Sequence, residues 1–474
     1  MPRPGPRRTP RGLVALALVW APLASAGAAG TVALQGPESP GRALPHPSLA
    51  PFDADVTNIP VADRQPRPAE RIDEYRAPIA AEFQGGWMVY QGDLHVHAKG
   101  HSGRDRTGAA LDTPNTNRDE VNLTGWFFGY DFLAISHHAT SWEFYDTTAP
   151  LFQRVSGPHA RSAQTLLAIK SVENYLGPHD EAHFTAFNKP FLFDDERLSV
   201  WHERILDEYS ADPLASTHVQ LNHPNPVDPV FALPPVTEPE RRRRVRDAVE
   251  LAEYSGWSTY LELLRRGFRV APVSNSDTHS TFREQEWRAR DGAYMDQRPD
   301  GRWVKPYVPT PGVPREKWAG TELGGRAGIV LPAATPLSAE SFLRALRERR
   351  AFRTAIPGAA GFFVANQHVM GSEFALGPGE RRLDFTVWAS APQGHGRPRE
   401  AWTRLEVWTP GNPKPLKVFE YHDPTQARLE QRFSLPPTEG IYVIRLEQAR
   451  RGAELILAPI WVTNPLPATA DQCE

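Results

Sequence analysis

The chain has 474 residues, and its 53 Lys and Arg stand against 56 Asp and Glu, for a formal net charge of -3. That balance excludes a broad basic surface for nucleic acid, and the length allows two domains with sizeable cores. The single cysteine, Cys473, excludes an intrachain disulfide and cysteine-built zinc clusters, so any metal must be held by nitrogen and oxygen.

Residues 1–26 read as a signal peptide. Arg3, Arg7, Arg8 and Arg11 form a basic region, LVALALVWA (13–21) is an apolar stretch too short to span a bilayer, and Ala24-Ser25-Ala26 supplies a small-residue cleavage pattern. Export to the periplasm or the extracellular space is therefore expected. No later stretch approaches the ~20 apolar residues that a membrane span needs. Residues 27–86, rich in Pro, Ala and Asp, form an N-terminal extension with little periodicity.

From Trp87 onward, short apolar runs alternate with helix-like segments. The expected strands are 87–97, 130–138, 166–174, 218–224, 249–255, 268–279 and 326–332. Helices are expected at 195–209, at 257–267 (closed by Gly267) and at 338–350. The run Arg241–Arg244 lies just before an apolar segment and reads as a solvated helix face. Residues 280–325, full of Arg, Trp, Pro and Gly, look like a long excursion of the kind that covers a site. After residue 356 the helical signal disappears. RLDFTVWAS, RLEVWTP, LKVFEYH, IYVIRLEQ and LILAPIWV then suggest an antiparallel β-sandwich over 356–474.

Twelve of the 16 histidines lie between positions 95 and 279. A lone histidine is more often a hydrogen-bonded structural residue than a ligand, but placement changes the odds here. In an extended strand, Asp93, His95 and His97 share one face, so His-x-His delivers two imidazoles to one point and Asp93 can support them from behind. His137-His138, Glu173, His223 and Asp277-x-His279 likewise end apolar runs. In a β/α barrel those strand ends share the face on which active sites are built.

The ordered motifs DLHVH, DFLAISHH, VENY…HFTAFN, NHP and SNSDTH resemble the polymerase and histidinol phosphatase (PHP) superfamily of metallohydrolases, most closely its exported carbaryl-hydrolase-like (CehA/McbA) branch. The resemblance covers about 87–355. It implies an α/β fold, a distorted seven-stranded (β/α) barrel, followed by the C-terminal all-β sandwich-like domain. It also implies two or three divalent ions, Zn or Mn before Fe for a nitrogen-rich donor set. Carried over to this sequence, His95, His97 and Asp277 hold a first ion and Glu173 bridges it to a second, completed by His183 and His223. His138 and His279 hold a third, with Asp105 or His101 as the remaining ligand. His179 is the rival of His183, and His137 stands where the family's second motif usually has a carboxylate.

The implied activity is a metal-dependent phosphoesterase that cleaves a small phosphomonoester or phosphodiester with metal-activated hydroxide, Glu173, Asp277 and His223 forming the catalytic set. Hydrolysis of a carbamate or carboxylic ester is the alternative with the same site. A non-catalytic envelope- or glycan-binding protein is the third reading. Lys99, Arg104, Arg326 and Arg353 are candidate cations for a phosphoryl group, and Trp126, Trp142 and Tyr175 are candidate pocket walls. Each is as readily explained by solvation or packing.

Overall fold

In the computed structural model of the chain, nine strands carry the first half. They are β1 (Pro78–Ile79), β2 (Trp87–Val96), β3 (Phe132–His138), β4 (Phe152–Ser156), β5 (Thr165–Leu176), β6 (Ala182–Phe187), β7 (His218–Asn222), β8 (Val249–Glu253) and β9 (Ala271–Val273). The structure describes residues 78–79, 86–97, 130–138, 151–156, 165–176, 182–188, 205–225, 239–277, 294–297, 303–307, 326–355, 358–377, 379–391, 401–449 and 453–463. Residues 1–26, the expected signal peptide, residues 27–77 and most of the 280–325 excursion lie outside these. Within that excursion, β10 (Tyr294–Gln297) and β11 (Trp303–Tyr307) form an antiparallel pair.

Short connections force an antiparallel return. A parallel return needs a crossover of about a dozen residues or more, whereas residues 157–164 and 177–181 are all that separate β4 from β5 and β5 from β6. Both pairs are accordingly antiparallel, and β6 pairs antiparallel with β7. Among the described strands β1 to β9, parallel pairing is confined to β2–β3, β3–β5, β7–β8 and β8–β9.

On its other edge β2 pairs antiparallel with β12 (Arg326–Pro332), which continues to β13 (Ala351–Thr354). Gly92 makes the β2–β3 approach possible, since a Cβ there would meet the Phe132 carbonyl oxygen at 2.0 Å.

The C-terminal strands are β14 (Ala360–Ala365), β15 (His368–Val369), β16 (Glu373–Ala375), β17 (Leu383–Ser390), β18 (Trp402–Trp408), β19 (Lys417–Glu420), β20 (Arg428–Leu435), β21 (Gly440–Gln448), β22 (Glu454–Leu457) and β23 (Ile460–Thr463). β15, β14, β17 and β20 make a separate four-stranded antiparallel sheet. The others join the large sheet, because β22 pairs with β13. β16 runs parallel to β23.

Helices are few among the described residues: α1 (Pro239–Ala248), α2 (Trp257–Arg265), α3 (Ala339–Arg347), one 3-10 turn, Pro213–Ala215, and helical residues 205–207 within the helix expected at 195–209. α2 buries Tyr260, Leu263 and Leu264 at helical spacing and stops before Gly267, whose φ of 91° suits glycine. α3 begins at Ser338, whose hydroxyl accepts from the Ser341 N–H while the Ser341 hydroxyl accepts from the Ser338 N–H. Arg241–Arg244 do lie on a helix, α1.

The expected α/β class, a (β/α) barrel followed by a sandwich-like domain, is thus corrected. Strand accounts for 51% of the described residues and helix for 14%, in large mixed sheets. A (β/α) barrel has only parallel strands, each followed by a helix, and here short connections turn the chain back directly. The C-terminal strands are not a purely antiparallel stack either, given β16–β23 and the continuity through β13–β22. One apolar cluster runs from Trp87 and Phe132 through Phe342 and Phe362 to Ile460 and Val462, and a second packs α2 against β6, β7 and β8.

Candidate metal centre

β2 carries His95, and His97 follows its last residue; both are buried. The β2–β3 register shifts between Asp93 and Val96, next to the two histidines. His95 Nε2 and His97 Nε2 lie 3.1 Å apart. Glu173 reaches them from β5, with Oε1 3.0 Å from His95 Nε2 and Oε2 3.5 Å from His97 Nε2. Asp277, four residues beyond β9, sets Oδ1 3.0 Å from His97 Nε2 and 3.4 Å from His95 Nε2.

The two ring nitrogens, the Glu173 carboxylate, which turns one oxygen to each ring, and Asp277 Oδ1 are separated by 3.0 to 3.5 Å along these contacts. A tetrahedral ion with ligands at 2.0–2.1 Å has edges of about 3.3 Å. The donor set fits a divalent cation.

A second group shares Glu173. His183 Nδ1 on β6 is 3.1 Å from Glu173 Oε1, and His223 Nε2, just past β7, is 3.9 Å from the same oxygen. Ligand atoms of His95, His97 and Glu173 lie within 4.8 Å of one another, as do those of Glu173, His183 and His223, and each group could hold a metal ion. Antiparallel pairing of β5–β6–β7 makes this possible by placing His183 opposite Asn222 and Thr185 opposite Glu173.

Electrostatics follow from burial. Burial opposes the charged form of the His95 ring, yet Glu173, Glu253 and Asp277 together raise its pKa well above the ordinary imidazole range. Burial likewise opposes ionisation of Glu173, but His95 and the hydrogen bond from His183 hold its carboxyl well below the usual range. Asp277 is also held low against burial, by His95 and then His97. Without an ion, the proton on His95 is the positive charge that the carboxylates gather around.

His223 and Asp277 both have positive φ, 28° and 48°. Non-glycine residues in this region are uncommon and cluster where a site over-determines the backbone.

Of the expected ligands, His95, His97, Glu173, His183, His223 and Asp277 come together. Asp105, His279 and the rivals His101 and His179 lie outside the described residues. His138 pairs in register with Glu173, but its side chain, like that of His137, is outside them. Lys99, Arg104, Trp126, Trp142 and the Tyr175 side chain are outside as well. Arg353 is engaged elsewhere, with Ser274, Glu454 and the Tyr254 ring, and Arg326 lies buried over the Tyr130 ring.

Asp93 has a different role from the one its spacing suggests. Its carboxylate accepts from the backbone N–H groups of His95 and Ser276, so it clamps the chain and not a ring. The ring support comes from Glu253, at 2.8 Å from His95 Nδ1. Sequence reasoning passed over Glu253, although it ends the strand VELAE. Asn222, which donates to Glu173 Oε1 at 2.8 Å, was also passed over. Asn beside His223 in the NHP motif was the available signal.

No family model, curated protein or solved structure matches the chain. Among the described residues no helix is long and apolar enough to cross a membrane.

Proposed function

We propose that the chain is an exported, metal-dependent hydrolase of the PHP kind, acting on a phosphomonoester or phosphodiester. The observation that carries this reading is the sharing of buried Glu173 between two pairs of imidazoles. His95, His97 and Asp277 would hold one ion and His183 and His223 the other, with Glu173 between them. Zinc or manganese suits such nitrogen-rich donors better than magnesium or calcium. A pair of divalent ions lowers the pKa of bound water and stabilises the attacking and leaving oxygens of an in-line displacement.

The chain's own groups supply position and access. Asn222 Nδ2 donates to Glu173 Oε1 and fixes the shared carboxylate. The His95 ring and Glu173 are closed to solvent, while the Asp277 and His223 side chains are each 45% exposed. That pair forms the open side, where water and an ester can enter.

The test is hydrolysis by the purified, metal-analysed protein. p-Nitrophenyl phosphate and bis-p-nitrophenyl phosphate are set against aryl carbamates and acetates. Cleavage of the phosphate esters, lost in Glu173→Gln, is expected. Cleavage of the carbonyl esters alone would replace the phosphoesterase reading. Less than one ion per chain, with no hydrolysis, would end the enzyme reading.

A further inference from the structure

Glu253 ends β8 beneath the centre, with its side chain 10% exposed. Its Oε1 faces His95 Nδ1 at 2.8 Å and also accepts from Asn275 Nδ2 at 2.9 Å and Gln220 Nε2 at 3.3 Å. Its Oε2 accepts the backbone N–H of His223 at 2.7 Å. A carboxylate only accepts hydrogen bonds, so Nδ1 of His95 carries a proton and Nε2 is the ligand atom. The same carboxylate holds His223 in its left-handed conformation, φ 28°.

We propose that Glu253 is a positioning residue that couples the two halves of the centre, orienting the His95 ring with one oxygen and anchoring the His223 backbone with the other. The proposal rests on the metal-hydrolase reading above. With its oxygens occupied by these donors, Glu253 supports ligands and is not one itself. The network extends further: Gln220 Nε2 donates to Asn222 Oδ1, and Asn222 donates to Glu173. Asn275 Oδ1 accepts the N–H of Leu94 beside the β2–β3 register shift.

Glutamine cannot replace this carboxylate, for a reason of donor count. If its carbonyl faces His95, its NH2 opposes the His223 N–H and releases that backbone. If its NH2 faces His95, Nδ1 must become an acceptor and the ring proton moves to Nε2, removing the lone pair a metal needs. Either orientation disables one half-site.

The experiment uses the full chain with zinc as the probe. Zinc affinities come from chelator competition, and the His95 ring is observed by nitrogen-15 NMR. Wild type is expected to bind zinc with the His95 proton on Nδ1. Glu253→Gln is expected to weaken at least one zinc ion about 10- to 100-fold, the range for lost support of a metal-bound histidine.

Glu250→Gln is the control. Glu250 lies on the same strand, equally buried, and bonds His218 and Arg347 instead. It should lower thermal stability and leave zinc affinity alone.

Wild-type zinc affinity in Glu253→Gln would overturn the positioning role, and so would zinc-loaded wild type with the His95 proton on Nε2. The second measurement decides the matter even if Glu253→Gln fails to fold. Wild type that takes up no zinc would overturn the metal centre itself, and the positioning role with it.

Discussion

His95 Nε2 lies 3.1 Å from His97 Nε2, with carboxylate oxygens of Glu173 and Asp277 closing around the same pair. Two ring nitrogens this close must share a proton or an ion, because two bare lone pairs repel. In the metal-free protein it is the proton that the three carboxylates hold on His95. In a metal-loaded protein it would be the ion.

Metal uptake should therefore release protons. Because the His95 pKa is raised above its ordinary value, the ring is charged at pH 7 without metal and must give up its Nε2 proton to bind. Zinc titration by calorimetry in buffers of different ionisation enthalpy should show net proton release. Equal heats in all buffers would contradict it.

Chelation should destabilise the fold. A ligand that binds only the native state, at 1,000 times its Kd, contributes about 4 kcal/mol, and the centre joins β2, β5, β6 and the ends of β7 and β9. The thermal midpoint should fall on EDTA treatment and recover with zinc. A midpoint indifferent to both would remove the cation from the account.

Glu173→Gln should cost more than a lost supporting residue, hence more than about 100-fold in zinc affinity. Glu173 faces both groups, so metal analysis should show both ions weakened together. Loss of one ion alone would break the shared-carboxylate assignment.

Asp93 gives the metal-free protein a distinct pH dependence. Burial raises its pKa to about 7, against hydrogen bonds from Ser276 and His95 that pull it down. Between the unfolded value of 3.8 and about 7, the folded chain holds a proton that the unfolded chain has lost. This contribution is unfavourable and grows as pH rises through that window, by about 1.4 kcal/mol per unit at most. Denaturant unfolding of Asp93→Asn should have a flatter profile there than wild type. Parallel profiles would refute the raised pKa.

Gly92→Ala tests the approach of β2 to β3. The added Cβ would meet backbone, the Phe132 carbonyl at 2.0 Å, as well as the Phe132 ring. Overpacking of this kind costs about 1–3 kcal/mol, and backbone cannot rotate away as a side chain can. An unchanged denaturation midpoint would show that the strands separate freely.

Part of the site was legible because several of its residues follow apolar runs that are strands. His95 lies near the end of β2 and His223 just past β7, but Glu173 sits inside β5, His183 near the start of β6, and the strand expected over 268–279 is only Ala271–Val273, four residues short of Asp277. The expected helix at 338–350 appears as α3, with Ser338 at its N-terminus. β14 and β20 gave no comparable signal, since AGFFVA is a continuous apolar run and RLEQRFSL alternates only weakly.

By itself, the sequence determined many of the segments that extend and which side chains have metal-binding chemistry, because hydropathy patterning and residue chemistry are local properties. Only the tertiary structure decided how the strands run. Parallel and antiparallel strands share one hydropathy pattern, and the family resemblance supplied a barrel that the short connection 177–181 does not permit. Tertiary structure also decided the supporting roles. Asp93 and Glu253 are both acids at strand positions, but one accepts from the backbone N–H groups of His95 and Ser276, and the β7–β8–β9 pairing brought the other beneath His95. Which donor a carboxylate meets depends on strands brought together from across the chain, and no local spacing records that.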